Sequence, residues 1–178
     1  MRLFIAVNFD DETKNRLLKV QEQLRSGASG GNFTRSENLH LTLAFLGETP
    51  DDKLEILFRI MEEVRASPFD VSFNKTGCFS RSHRKLWWIG MDRNSPGLSC
   101  LEAIHGQLLS LLLDAGFLVD KRPFNAHITL GREVLHTHPV VLDYPAISIN
   151  VDRISLMKSE HHGGVLIYTE LYGRRFSG

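Results

Sequence analysis

The sequence is poor in cysteine, balanced in charge and free of long apolar runs. Cys78 and Cys100 are the only cysteines among 178 residues, and their separation argues against a disulfide framework or a cysteine-based zinc site. The 21 lysines and arginines match the 21 aspartates and glutamates, so a broad basic surface for long nucleic acid is not indicated. No apolar run approaches a membrane span, and the N-terminus lacks the features of a signal peptide. We therefore expect a soluble cytoplasmic protein without membrane association, with a monomer as the default state.

Signatures of nucleotide cofactors are also missing. The sequence has no Walker-type phosphate loop and no glycine-rich dinucleotide fingerprint, so dependence on ATP or NAD is not predicted. We expect no cofactor and no metal ion. Hydrophobic residues make up 42% of the chain and charged residues 24%, which is enough apolar material for a sizeable core and argues against disorder.

The sequence does contain one tetrapeptide written nearly twice. Residues 40–43 read HLTL and residues 127–130 read HITL, about half the chain apart. This alternation is typical of a strand, where residues two apart share a face. Histidine and threonine of each copy should therefore point to one side, with the apolar residues on the other.

Strands and helices are mixed irregularly along the chain, which indicates the α+β class. We expect a single bilobal domain over residues 1–178, with two pseudo-symmetric lobes of antiparallel sheet and outer helices around a central cleft that carries both motifs. Glycine- and serine-rich residues 27–32 are predicted to be a loop. The helices are predicted over residues 11–25, 50–66 (capped by Thr49) and 96–115, and the strands over residues 3–9, 38–45, 69–79, 85–91, 124–132, 146–157 and 165–172.

A single histidine on a strand is more often a packed or surface residue than a catalyst. Two histidines beside hydroxyls, in comparable halves of the chain, instead have the arrangement that a general acid and a general base need. Unperturbed imidazoles titrate near pH 6.5 and therefore serve both roles. A metallohydrolase site and a binding module without catalysis are the alternatives from other classes.

The surroundings of the two motifs resemble a known family. Residues 38–47 (NLHLTLAFLG) and 122–132 (RPFNAHITLGR) are similar to the two signatures of the two-histidine phosphoesterases. Residues 2–7, 88–91 and 168–171 also resemble the bacterial and archaeal RNA 2′,3′-cyclic phosphodiesterases, which are also called 2′-5′ RNA ligases. The likeness covers almost the whole chain. Ala126 departs from it, because relatives often have proline before the second histidine.

This resemblance implies hydrolysis of an RNA 2′,3′-cyclic phosphate end to a 2′-phosphate, without a metal. It implies that His127 is the proton acceptor that activates water and that His40 is the proton donor to the leaving oxygen. Thr42 and Thr129 would donate to the phosphate oxygens, where charge builds up. The doubled motif is symmetrical, so this division of roles rests on the resemblance alone. The resemblance also implies 2′-5′ ligation in reverse, and a small cyclic nucleotide or 2′-5′ oligoadenylate is the alternative substrate.

Five further residues are candidates for substrate binding. Arg132 is either a phosphate contact or a surface strand end, and Phe45 either stacks on a base or packs in the core. The cationic loop at residues 81–85 precedes two tryptophans, a combination suited to an RNA end or to a solvated hairpin tip. From that region we select Arg84 and Trp88, and from the approach to the second motif Arg122.

Overall fold

The fold mixes helices with antiparallel strands, which confirms the α+β class. A computed structural model describes residues 1–81, 84–120, 122–136 and 140–177, without the side chains of Arg81 and Arg84. The helices are α1 (Asp11–Ser26), α2 (Leu54–Glu63) and α3 (Leu98–Asp114). The strands are β1 (Arg2–Asn8), β2 (Ala28–Phe33), β3 (His40–Glu48), β4 (Phe69–Phe73), β5 (Lys75–Arg81), β6 (Arg84–Gly90), β7 (His127–His136), β8 (Ile147–Val151), β9 (Arg153–His162) and β10 (Val165–Arg175).

One antiparallel sheet runs through both halves of the molecule. Its strand order is β10-β9-β1-β3-β7-β6-β5, with β2 paired to β7, and β4 and β8 form a separate pair. The motif strands β3 and β7 are neighbours in the middle, as the sequence predicts. They share a single register pair, Leu41 with Ile128, so the two halves of the sheet meet where the two motifs lie.

The two faces of this sheet have opposite characters. The apolar residues of both motifs are at most 2% exposed and belong to the main core: Leu41, Leu43, Ile128 and Leu130. Helix α3 packs against β3 and α1 against β7 on that side. Because side chains alternate along a strand, the motif histidines and threonines lie on the other face, away from the helices.

The structure corrects one predicted helix start. Asp10 caps α1 by accepting from the Thr13 backbone nitrogen at 2.7 Å, as its position suggests. Thr49 does not cap α2, because its hydroxyl donates to the Gly47 carbonyl at 3.3 Å. A 3₁₀ turn over Asp51–Lys53 comes first, so α2 begins at Leu54 and ends at Glu63.

The structure also corrects one predicted loop and two predicted strands. The segment predicted as a glycine-rich loop is largely strand β2, which pairs with β7. Residues 69–79 divide at Asn74 into β4 and β5, which belong to different sheets. Residues 146–157 divide at Asp152, whose carbonyl accepts from the Phe176 nitrogen at 2.8 Å. Each break depends on a partner distant in sequence, which a local pattern does not reveal.

Candidate active site

Both motif histidines are held in the same way by the backbone. His40 Nδ1 lies 2.8 Å from the Asn38 carbonyl oxygen, and His127 Nδ1 lies 2.7 Å from the Asn125 carbonyl oxygen. A carbonyl oxygen only accepts, so Nδ1 of each ring carries a proton. In the neutral imidazoles Nε2 is therefore the bare nitrogen that exchanges protons. The motif thus extends two residues upstream, as Asn-x-His-x-Thr-Leu in both copies.

Aromatic rings enclose His40. The Phe4 ring centroid is 4.8 Å from the imidazole, and Tyr168 meets it edge-on at 5.2 Å. Burial lowers the pKa of His40 to about 4, against a smaller upward effect of the Asn38 hydrogen bond. The positive charges of Arg132 and His127 are smaller causes in the same direction, and the value of about 4 includes them. His40 Nε2 lies 2.9 Å from the Thr42 hydroxyl, which donates to the neutral ring.

His127 has a more open setting on the other half of the sheet. Phe79 lies edge-on to it with ring centroids 5.4 Å apart, and the Trp88 ring centroid lies at 6.5 Å. Burial is the main cause that lowers the pKa of His127, and the positive charge of Arg132 lowers it by a smaller amount. Phe79 is itself 41% exposed. The second imidazole is therefore nearer to solvent than the first.

Each motif strand has a bulge directly after its threonine. In β3, Thr42 pairs with Ala6 and Ala44 with Ile5, so Leu43 has no opposite residue in β1. In β7, Thr129 pairs with Trp88 and Gly131 with Trp87, which leaves Leu130 without one in β6. An extra residue reverses the alternation of the side chains that follow it.

These bulges bring Phe45 and Arg132 to the histidine face. Each lies five residues after its histidine, and a regular strand would turn it away. Phe45 instead pairs with Phe4, with ring centroids 6.2 Å apart. Arg132 acts electrostatically on both His40 and His127. Phe45 is 54% exposed, so its alternative role in core packing is wrong.

A small cavity gathers residues from both motif strands. Its volume is about 60 Å³, and it is lined by Thr34, Asn38, His40, Thr129, Arg132, Leu166 and Tyr168. Hydroxyl donors, a guanidinium and an imidazole meet there, as expected of a site for a small anion. A positive charge, hydroxyls and the imidazole of His40 are thus combined at the junction of the two halves, whereas His127 and Thr42 do not line this cavity.

Comparison with known proteins identifies the family. The profile described as LigT like phosphoesterase matches residues 7–88. The RNA 2′,3′-cyclic phosphodiesterase of Archaeoglobus fulgidus is 36% identical over 80% of this chain and 78% of its own length. The enzyme of the same name from Thermotoga maritima is 30% identical over 100% of this chain and 97% of its own. The chain belongs to the LigT-like phosphoesterases.

The fold agrees with solved members of this family. The crystal structure of Escherichia coli LigT complexed with 3′-AMP superposes with a TM-score of 0.87 at 27% identity, covering 99% of this chain and 98% of that one. Other E. coli LigT structures contain phosphate, NADP+ or ATP. The chain is thus a phosphodiesterase, and its relative E. coli LigT has been crystallised with nucleotides.

The remaining predicted substrate contacts of this phosphoesterase are less central. Arg122 lies in an exposed loop, where its Nε donates to Asp120 Oδ2 at 2.7 Å. The side chain of Arg84 lies outside the described residues, and so do residues 82 and 83. Trp88 is beside His127, and it also lines a second cavity of about 880 Å³. None of the three lines the small cavity as the structure describes it.

Several residues of the site escaped the sequence analysis. Tyr168 and Phe4 enclose His40, and Phe79 covers His127. Phe4 occurs in an apolar strand, where nothing separates a site residue from a core residue. The repeated asparagine before each histidine was a readable signal, since a polar residue recurs at the same offset in both copies.

The described part of the chain contains neither a membrane-spanning helix nor a cluster of metal-binding side chains. No helix in it is long and apolar enough to cross a membrane. Within the same residues, no three side chains of histidine, cysteine, aspartate or glutamate gather closely enough to hold a metal ion.

Proposed function

We propose that this phosphoesterase opens 2′,3′-cyclic phosphate ends of RNA to 2′-phosphates, with His127 as base and His40 as acid. The observation that supports it most strongly is the matched pair of imidazoles. Both have Nδ1 held by a carbonyl and lie on one sheet face with Arg132 within electrostatic reach. General acid–base catalysis with an anionic substrate needs this combination.

The relatives support an RNA end as substrate. The A. fulgidus and T. maritima proteins are named RNA 2′,3′-cyclic phosphodiesterases. E. coli LigT has been crystallised with 3′-AMP, a nucleotide with a phosphate on the ribose. This chain matches almost the whole length of LigT, so the same part of the substrate would enter the same part of the fold.

The reaction begins with removal of a proton from water. In the proposed role, His127 Nε2 takes this proton as the water oxygen bonds to phosphorus. The Asn125 carbonyl accepts from Nδ1 and stabilises the imidazolium that forms. His127 lies near solvent, which suits a base that activates a water molecule.

The bond from phosphorus to the ribose 3′ oxygen then breaks, leaving the phosphate on the 2′ oxygen. Protonated His40 gives its Nε2 proton to the departing oxygen. The Thr42 and Thr129 hydroxyls and the Arg132 guanidinium donate to the nonbridging oxygens, where negative charge grows. Thr42 leaves its hydrogen bond to His40 Nε2 for this role. The same groups serve 2′-5′ ligation in the same sense, with a 5′-hydroxyl in place of water as the nucleophile and the 3′ oxygen again leaving.

Substrate charge is part of this mechanism. His40 is largely neutral in the free protein at pH 7, because its pKa is about 4. A bound cyclic phosphate carries a negative charge, which favours the imidazolium and raises the pKa of both histidines. It also screens the charge of Arg132. The acid is thus formed mainly in the complex, where its proton is needed.

A turnover screen tests the proposal. Short RNA with a 2′,3′-cyclic end and the four 2′,3′-cyclic mononucleotides are incubated with protein in chelator, and ³¹P NMR assigns the product. We expect 2′-phosphate products and higher kcat/KM for RNA. A 3′-phosphate product would contradict the assigned leaving oxygen, and loss of activity in chelator would favour a metallohydrolase.

Two alternatives are separated by the same screen. Equal or higher kcat/KM for mononucleotides would favour a small cyclic nucleotide as the substrate. Binding of RNA ends without turnover would favour a binding module. The intact His-x-Thr pairs on both strands support catalysis over binding alone.

A further inference from the structure

The backbone carbonyls of the two bulged residues receive hydrogen bonds from helix side chains. Leu43 and Leu130 are the residues without an opposite neighbour in β1 and β6. Both are buried, where a carbonyl without a hydrogen bond destabilises the fold. In both strands a polar side chain from a helix donates to this carbonyl.

Gln21 of α1 donates this hydrogen bond to the bulge in β7. Its Nε2 donates to the Leu130 carbonyl at 2.8 Å and to the Thr34 carbonyl at 2.7 Å. The Thr34 backbone nitrogen donates to the same Leu130 oxygen at 3.0 Å. Gln21 is only 3% exposed, and its buried amide joins the bulge at Leu130 to the Thr34 carbonyl just after β2.

His105 of α3 has the matching position at β3. Its Nδ1 lies 2.8 Å from the Leu43 carbonyl oxygen, so this nitrogen carries the proton and donates. The same ring stacks on Phe124, with centroids 4.7 Å apart and planes 17° from parallel. Phe124 directly precedes Asn125, whose carbonyl holds His127.

We infer that Gln21 and His105 are positioning residues that hold the two bulges and thereby keep Arg132 and Phe45 on the histidine face. Without the helix donor, a bulge is freer to shift by one residue. Such a shift carries the side chain that follows it to the opposite face. Gln21 thus acts through Arg132, and His105 acts through Phe45. The turnover readout rests on the proposed function.

A double-mutant cycle distinguishes this role from general damage. Gln21→Met keeps length and apolar packing but removes the donor, and we expect a loss of about 10- to 10²-fold in kcat/KM, as for other small misplacements of catalytic groups. In an Arg132→Ala background the same change should cost less than about 2-fold, because the group that it positions is gone. In a Phe45→Ala background it should keep its full effect.

Variants of His105 test the bulge in β3 in the same way. His105→Phe keeps the stack on Phe124 and removes the donor, whereas His105→Gln keeps an N–H donor and loses the stack. We expect the first to raise KM by about 10-fold, because a base-stacking contact is lost, and the second to restore most of the wild-type KM. The effect should vanish in Phe45→Ala and persist in Arg132→Ala.

Matched controls come from the same helices. Gln23 on α1 donates to the Asp143 carbonyl at 2.7 Å, and Gln107 on α3 donates to the Arg65 carbonyl at 2.9 Å. Both bond to segments outside the motif strands, so Gln23→Met and Gln107→Met should leave kcat/KM unchanged. Circular dichroism and thermal unfolding confirm that each variant is folded. Should Gln21→Met unfold, the His105 arm decides the test, because a different helix holds that bulge.

Several results would overturn the inference. One is a wild-type kcat/KM in folded Gln21→Met and His105→Phe. Another is a loss of kcat/KM that is equal in the wild-type, Arg132→Ala and Phe45→Ala backgrounds. If the wild-type protein turns over no cyclic phosphate, the proposed function fails, and the Gln21 cycle is then run on the Kd of inorganic phosphate. A Gln21→Met effect on that Kd which disappears in Arg132→Ala would still support the positioning role.

Discussion

The two copies of the motif have the same backbone architecture and different surroundings. Each histidine has Nδ1 held by the carbonyl two residues before it. Each strand bulges directly after its threonine. The first copy then presents a phenylalanine and the second an arginine. His40 is enclosed by Phe4 and Tyr168, whereas His127 lies beside Phe79 and Trp88.

This difference distinguishes two histidines that the sequence leaves symmetrical. Shared backbone contacts give both imidazoles the same tautomer, so either ring is able to move a proton through Nε2. Unequal burial gives them different pKa values, since desolvation penalises the charged ring more at His40. Pseudo-symmetry thus provides the pair, and the side chains around it make the two rings unequal.

The strongest test of this comparison is to replace each histidine in turn. We expect His40→Gln and His127→Gln each to lower kcat by about 10²–10⁴-fold, the usual contribution of one proton transfer. An acid must be protonated, so removal of His40 should abolish the alkaline limb of the pH–rate profile. Removal of His127, the base, should abolish the acidic limb. The measurement is kcat from pH 4 to 9 on a cyclic-phosphate RNA.

The wild-type profile supplies the control for the histidine variants. The kcat/KM profile reports the free protein and the kcat profile reports the complex. Both histidine pKa values are lowered in the free protein, and the substrate anion raises them. The kcat/KM optimum should therefore lie at lower pH than the kcat optimum. Exchange of the two limbs between the variants would reverse the assigned roles.

A smaller effect should separate Phe45 from Arg132. Arg132→Met removes a charged donor, and since hydrogen bonds to charged groups are worth about 1.5–3 kcal/mol we expect a loss of roughly 10- to 10²-fold in kcat/KM for every base. Phe45→Ala removes a stacking surface, so KM should rise more for purine than for pyrimidine substrates. Kinetics on the four cyclic mononucleotides measure both.

Leu118, which is 94% exposed, offers the apolar surface control for Phe45. Leu118→Ala should leave kcat and KM at their wild-type values for each base. Equal base dependence in Phe45→Ala and Arg132→Met would mean that the two copies do not contact different parts of the substrate.

The sequence was most informative where the relevant interactions are local. Alternation in the motifs predicted the strands, the shared face of histidine and threonine, and the apolar core on the other face. Interactions between distant segments were beyond it. The bulges arise from strand pairing, so the orientation of Phe45 and Arg132 was left with two interpretations. Strand β2 was missed because its glycine-rich segment pairs with β7 about 100 residues away, as in Asn32 with Arg132.

Acid unfolding provides the smallest test of the difference between the histidines. The pKa of His40 is about 4 when folded, against 6.5 as the ordinary value. As pH falls below 6.5, His40 binds a proton in the unfolded chain but stays neutral in the folded protein. The free energy of unfolding therefore decreases until about pH 4, where folded His40 is protonated as well. At 1.36 kcal/mol for each pH unit the loss reaches about 3 kcal/mol. His127, whose pKa is lowered less, should contribute less to it.

Urea unfolding of wild type, His40→Gln and His127→Gln at pH 7 and pH 4.5 measures this contribution. Carboxylates that titrate in the same window affect all three proteins alike, so the comparison between variants removes them. We expect His40→Gln to lose the least free energy of unfolding between the two pH values, and wild type the most. Equal losses in the two variants would mean that the imidazoles are equally desolvated. The aromatic enclosure by Phe4 and Tyr168 would then not explain how the two copies differ.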